Sequence, residues 1–304
     1  MIVNCPEDFL TELSRGGYEA EGPAPVKAVL MVEPAGFCIS AQSATDNQYM
    51  NAGDSADPGR AMEQFHNLVG LISSQGIEVV VFPGDPETPD ALFPNNVFAT
   101  TRDRLIIGRM LHPIRQKEAD RQDIRAYFES RGYQTVDLST ADCVAELTGS
   151  LIIDSARRIG FCGMSKRVDQ AGLEAMHEAF DLKLVFSFEL PPCEYHTNVV
   201  LMVLADRACV IYPGGFVDPA VPEAIGKAFP GRTLFLNEAE KNAFAGNCIA
   251  LTEHDLFMSQ TGLNALRPSS RAALEAWGFV IHSTALDEIE KAGGSLRCMV
   301  AEIF

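Results

Sequence analysis

A thiol, an imidazole, a carboxylate and several amides recur along this chain at one interval. Phe93-Pro94-Asn95-Asn96 comes first, then Glu146-Leu147-Thr148-Gly149-Ser150, His196-Thr197-Asn198, Gly246-Asn247 and Arg297-Cys298, roughly 50 residues apart. A thiolate beside an imidazole is a competent nucleophile with its own acid/base, so Cys298 and His196 together would do covalent catalysis at an electrophilic carbon. Taken singly they are plainer: Cys298 as a buried cysteine opening a strand, His196 as a polar cap before the apolar run Val199 to Leu204. Glu146 either orients the imidazole or holds a substrate nitrogen, and as an isolated residue it reads as a solvated loop carboxylate. Arg167 could pair with a substrate carboxylate, whose fork a guanidinium matches, or be an ordinary surface arginine. Gly293-Gly294-Ser295 lets the backbone come close just before Cys298. No His/Cys/Asp spacing resembles a zinc site, and neither metal nor cofactor is expected.

The elements that must position these residues repeat as well. Apolar periodicity predicts helices over 60–74, 115–130, 170–180, 219–228 and 266–277, each followed by a short buried strand. After each of the first four comes a hairpin: 96–101 with 104–108, 149–154 with 158–162, 197–204 with 207–212, and 247–251 with 254–258. The last hairpin, 298–303, lacks its second strand, and 27–33 could supply it. This closes a ring: one α/β domain over 27–304, a five-bladed α/β propeller of pseudo-fivefold ββαβ repeats, with residues 1–26 as a peripheral lead-in. An open α/β sheet is the alternative, but its parallel crossovers do not call for a hairpin in every unit. In a closed ring the five polar hairpin starts converge near the axis, so topology rather than sequence spacing would bring thiol and imidazole together.

Composition narrows the partners. The net charge of −17 repels nucleic-acid phosphate and anionic lipid, and there is no basic stripe to offset it. A small amino-acid zwitterion remains compatible, because the charge inside a site can differ from the net charge. No apolar run approaches 18 residues, so no membrane span is expected. The eight cysteines are scattered without a CxxC pair, which points to reduced thiols and a cytoplasmic protein. Self-association as a homo-oligomer stays open.

The chain resembles the pentein (guanidino-group-modifying) superfamily over nearly everything after residue 27. The anchors are Met31-Val32-Glu33-Pro34, Asn47-Gln48-Tyr49-Met50, Phe93-Pro94-Asn95-Asn96, Glu146 through Gly149-Ser150, Gly163-Met164-Ser165-Lys166-Arg167, Tyr195-His196-Thr197-Asn198 and the Gly-Gly…Arg297-Cys298-Met299 close. The resemblance implies a five-bladed propeller, Cys298 as nucleophile and His196 as acid/base. It also implies a substrate-binding set of Asn47, Phe93, Asn95, Asn96, Arg167, Asn198 and Arg297, with Asn47 and Arg167 at the α-amino-acid end. Guanidinium-binding relatives carry carboxylates where this chain has Asn96, Ser150 and Asn198. Neutral amides would forfeit charge-assisted bonds to a guanidinium worth about 1.5–3 kcal/mol each, and they suit a neutral ureido group. The chain most resembles the citrulline-hydrolysing branch. The expectation is therefore hydrolysis of L-citrulline to L-ornithine, CO2 and ammonia through an S-carbamoyl intermediate. Arginine hydrolysis (deiminase or dihydrolase) or amidino transfer is the enzymatic alternative, and an amino-acid-binding propeller the non-enzymatic one.

Overall fold

Short apolar runs such as Ala28–Val32, Leu201–Leu204 and Ala208–Ile211 form strands buried on both faces. In the computed structural model, which describes residues 1–21, 26–50 and 53–304, the strands make five separate sheets. One pattern recurs in all five: an antiparallel hairpin whose second strand pairs in parallel with a third. Phe98–Thr100 and Arg104–Ile107 are joined by Gln134–Asp137. Leu151–Asp154 and Ile159–Met164 are joined by Leu184–Glu189. Leu201–Leu204 and Ala208–Ile211 take Thr233–Phe235, and Ile249–Ala250 and Asp255–Ser259 take Val280–Thr284. The fifth sheet unites the two ends of the chain. Ala301–Ile303 pairs antiparallel with Ala28–Val32, which pairs in parallel with Glu78–Phe82. First strands also meet between sheets: Ala301–Ile303 lies against Phe98–Thr100, and Leu201–Leu204 lies against both Leu151–Asp154 and Ile249–Ala250.

The helices form where local rules favour them. In Pro58–Ser74, the Asp57 side chain caps the Arg60 N–H and proline opens the first turn. Ala61, Phe65, Leu68 and Ile72 then form one buried face, and Gly76 at φ +80° lets the chain leave. Two predicted helices are broken. The stretch 115–130 becomes Pro113–Gln116, a 3-10 turn Lys117–Asp120 and the helix Gln122–Glu129, because Arg115 and Glu118 face inward as a buried ion pair. The 266–277 helix starts at Pro268 after a separate helix Gln260–Ala265, since the residue before a proline is driven out of the helical region. Four of the five polar hairpin starts are short helical turns rather than strand: Pro94–Asn96, Leu147–Ser150, Thr197–Val199 and Leu296–Met299.

Residues 1–26, read above as peripheral, need correcting for the part described. Ile2–Val3 adds a parallel strand to Leu184–Glu189, and the helix Pro6–Arg15 drives Phe9 into the core. The outer strands of the other sheets stay partly exposed, whereas Leu184–Glu189 is almost wholly buried. The lead-in covers that edge. Among the described residues no helix is long and apolar enough to cross a membrane.

Phe9 stacks on Phe186 at 4.6 Å and meets Phe161 edge-on at 5.9 Å. Phe9→Ala should therefore cost about 3–5 kcal/mol in urea unfolding; a loss below about 1 kcal/mol would mean the segment is only laid on the surface.

Candidate active site

Cys298 sits in the turn Leu296–Met299 with only 1% of its surface exposed. Its Sγ accepts hydrogen bonds from two amides, Asn198 Nδ2 at 3.5 Å and Asn247 Nδ2 at 3.4 Å. His196, fully buried, places Nε2 2.8 Å from Glu146 Oε2. Glu146 also accepts from the Leu111 N–H at 3.0 Å and from Arg167 Nη1 at 3.0 Å. The remaining fork of Arg167, Nε and Nη2, holds both oxygens of Asp46 at 2.8 and 2.7 Å, and His112 Nε2 adds a contact to Asp46 at 2.9 Å. A buried ladder thus runs Asp46, Arg167, Glu146, His196.

These contacts set the charges. Burial alone would raise the Glu146 carboxyl, but Arg167, His196 and Arg115 hold it well below the usual carboxylate range. Asp46 is likewise held low by Arg167 and His112 against the effect of burial. An ionised Glu146 takes the proton-bearing Nε2 of His196, which leaves Nδ1 as the free base. Nδ1 is buried and has no partner among the described residues. Burial lowers the His196 pKa despite Glu146, and burial raises that of Cys298 despite its amide bonds. Burial thus favours the neutral form of each group.

A cavity of about 20 Å³ reaches Cys298. Asp90, Phe93, Asn96, Arg115, Arg167 and Tyr195 help to line it. Four acceptor oxygens in this region are buried without a partner among the described residues: Asp90 Oδ1, Asn95 Oδ1, Asn96 Oδ1 and Asn198 Oδ1. A far larger cavity, about 600 Å³, opens where the hairpins turn, but neither Cys298 nor His196 lines it, so volume does not locate the chemistry.

Cys298, Asn96 and Phe93 line one cavity, Asn198 meets the sulfur, and His196 and Glu146 are hydrogen-bonded to each other. Arg167 lines the cavity, yet all three of its nitrogens are engaged by Asp46 and Glu146, so its fork is not open to a substrate carboxylate in this arrangement. Asn47 spends its amide on the Gly293 carbonyl and its oxygen on the Tyr49 N–H, which ties the 33–50 segment to the loop before Cys298. Asn95 lies behind the cavity, with Nδ2 on Thr148 Oγ1 at 3.3 Å. Arg297 points the other way, to the Val300 carbonyl and Glu302, and lines the larger cavity. Neighbours in a 3-10 turn project about 120° apart, so Arg297 and Cys298 cannot share one face.

Asp90, Arg115, Tyr195 and Asn247 were given no site role from the sequence. Asn247 stood in the fourth recurring position and was signalled there. Arg115 was hidden in a predicted amphipathic helix; its Nε and Nη2 grip Glu118 at 2.9 Å, and no partner is seen for Nη1 among the described residues. Tyr195 donates its hydroxyl to the Gly293 carbonyl at 2.6 Å. Among the described residues no group of His, Cys, Asp and Glu is placed to hold a metal ion.

Gly149 is packed so tightly that an added Cβ would lie 2.8 Å from His196 Nδ1 and collide with Asn96 Oδ1. Gly149→Ala should displace both groups and lower kcat/KM about 100-fold while the protein still folds; unchanged kinetics would show that His196 and Asn96 need no fixed placement.

With this geometry in hand, comparison with known proteins is informative. The family described as N,N dimethylarginine dimethylhydrolase, eukaryotic, matches residues 33–304. The N(G),N(G)-dimethylarginine dimethylaminohydrolase of Mycobacterium tuberculosis is 25% identical over 97% of this chain and 92% of its own. The bifunctional arginine dihydrolase/ornithine cyclodeaminase AgrE of Nostoc is 23% identical over 80% of this chain, which spans 33% of that longer protein. Among solved structures, the product-bound N-terminal domain of ArgZ, a cyanobacterial arginine dihydrolase, superposes with a TM-score of 0.80 at 22% identity, over 92% of this chain and 98% of that one.

Proposed function

The chain belongs to the N,N dimethylarginine dimethylhydrolase family, within the pentein superfamily, and from that premise we propose that it is a cysteine hydrolase that takes arginine through a bound ureido species to ornithine. The observation that carries this reading is the set of buried, unpartnered acceptors, Asp90 Oδ1, Asn96 Oδ1 and Asn198 Oδ1. A guanidinium brings five N–H donors in a planar fork and satisfies them together. Asp90 supplies the carboxylate that a clamp of amides alone would lack. Its other oxygen already accepts from Ser43 Oγ at 2.5 Å.

In this mechanism His196 Nδ1 takes the Cys298 proton as Sγ attacks the guanidinium carbon, and returns it to the departing ammonia. Water, deprotonated by the same nitrogen, attacks the thiouronium carbon; the C–S bond breaks and the ureido product forms. A second attack by Sγ on the ureido carbon expels ornithine and leaves an S-carbamoyl cysteine. Water then releases carbamic acid, which breaks down to CO2 and ammonia. The balance is arginine plus two waters to ornithine, CO2 and two ammonia. Arg115, through Nη1, is a candidate for the substrate carboxylate, since Arg167 is engaged elsewhere. We read the five sheets as blades of one closed propeller, with the polar turns around its axis. The eight unpaired cysteines support a reducing compartment such as the cytoplasm.

A second reading rests on a different feature: Asn96 and Asn198 are neutral, and such a site would also admit citrulline directly, entering at the ureido stage. Incubation of purified protein with L-arginine, L-citrulline and dimethylarginine, followed by chromatography of products, tells them apart. Arginine should give ornithine and ammonia in a 1:2 ratio. Ornithine from citrulline with none from arginine would select the second reading, and turnover of dimethylarginine alone would reject both. Cys298→Ser should reduce turnover by on the order of 1,000-fold or more without loss of fold; near-normal rates would remove the covalent step. Asn198→Asp should raise the preference for arginine over citrulline.

A further inference from the structure

We propose that Asn247 is a catalytic residue of this site, forming with Asn198 a two-amide cradle that receives the charge of the Cys298 thiolate. The inference rests on the cysteine-hydrolase reading and assigns a role that reading leaves open. The attacking sulfur must become an anion at a position with almost no exposure to solvent. No guanidinium or ammonium makes a hydrogen bond to Sγ among the described residues; its side-chain donors are the amides of Asn247, at 3.4 Å, and Asn198, at 3.5 Å.

Asn247 is held so that its nitrogen can only face the sulfur. Its Oδ1 accepts the Arg297 N–H at 3.1 Å, and its Nδ2 also donates to the Asn198 carbonyl at 3.0 Å. A main-chain N–H must meet oxygen and a carbonyl must meet N–H, so a flipped amide would lose both bonds. The side chain is fully buried, and the bond to Arg297 fixes the residue immediately before the nucleophile. Asn198 is oriented in the same way, its Nδ2 turned to the Thr148 carbonyl and the sulfur.

An N–H bond to an ionised acceptor is stronger than one to a neutral acceptor. The cradle therefore favours thiolate over thiol and opposes the effect of burial, which raises the thiol pKa. The charged and titratable groups around the sulfur are Tyr195, Asp90, Arg115, Arg167 and Arg297. Arg167 is paired with Asp46 and Glu146 and Arg115 with Glu118, while the Arg297 charge, though paired with Glu302, acts on the thiol in the same direction as the amides.

The test needs no turnover. Alkylation of Cys298 by iodoacetamide is followed against pH by site-resolved mass spectrometry in the wild type, Asn247→Ala, Asn247→Ser and Asn247→Asp. In the Ala and Ser variants the profile should move up by about one pH unit, so that the rate near pH 8 falls about tenfold while the high-pH plateau is kept. Asn247→Asp, of the same shape but bringing a carboxylate to the sulfur, should move it further. Profiles coincident with the wild type in any variant whose circular dichroism and melting are native would overturn the proposal. Should Asn247→Ala fail to fold, the near-isosteric Asp variant decides by the same criterion. Shifted profiles in a protein that turns over no arginine or citrulline would uphold the cradle and reject the substrate reading.

Discussion

Glu146 and Arg167 are both buried and face each other as an ion pair, with Asp46 on the far side of the guanidinium. Stripping either partner from such a pair leaves an uncompensated charge in the interior, at a cost of about 3–5 kcal/mol. The rest of the catalytic end depends on this contact. Through Arg167 the pair reaches Asp46 and so holds the 33–50 segment against the cavity. Through Glu146 it reaches His196, fixing which nitrogen carries the proton and which is free to act. The Leu111 N–H and the unpartnered His196 Nδ1 mark the two ends of what one carboxylate organises.

The same burial acts on the Cys298 thiol and the His196 imidazole. Thiol and imidazole both lie where water cannot solvate an ion, and burial moves each toward its neutral form. The net charge of −17 plays no visible part here. Within the ladder Asp46 and Glu146 sit against Arg167, and Glu118 sits against Arg115, so local pairing rather than the global field sets the chemistry.

Much of this was legible beforehand, and the misses are physical rather than random. Short apolar runs bounded by turn residues marked the hairpins, although four of the five polar starts are helical turns rather than the strand expected. They also pointed to Ala28–Val32 as partner of Ala301–Ile303. Arg297 was misread because adjacent residues of a tight turn diverge in direction. Arg115 was lost because a buried arginine looks like a solvated one until its partner, Glu118, is seen three residues on. Phe9 gave no sign, since one aromatic in a short amphipathic helix does not say whether that helix is covered.

The sequence by itself determined the order of elements, the repeat that brings the two chain ends together, and the residue types standing at each hairpin start. Those depend on local periodicity and turn chemistry, which are written in neighbouring residues. Only the tertiary structure decided which of those side chains face the cavity, that Asn247 and Asn198 converge on Sγ, that Asp46 rather than a substrate fills the Arg167 fork, and which nitrogen of His196 is free. These are matters of direction and desolvation between residues as many as 121 positions apart, as Asp46 and Arg167 are, and no local pattern encodes them.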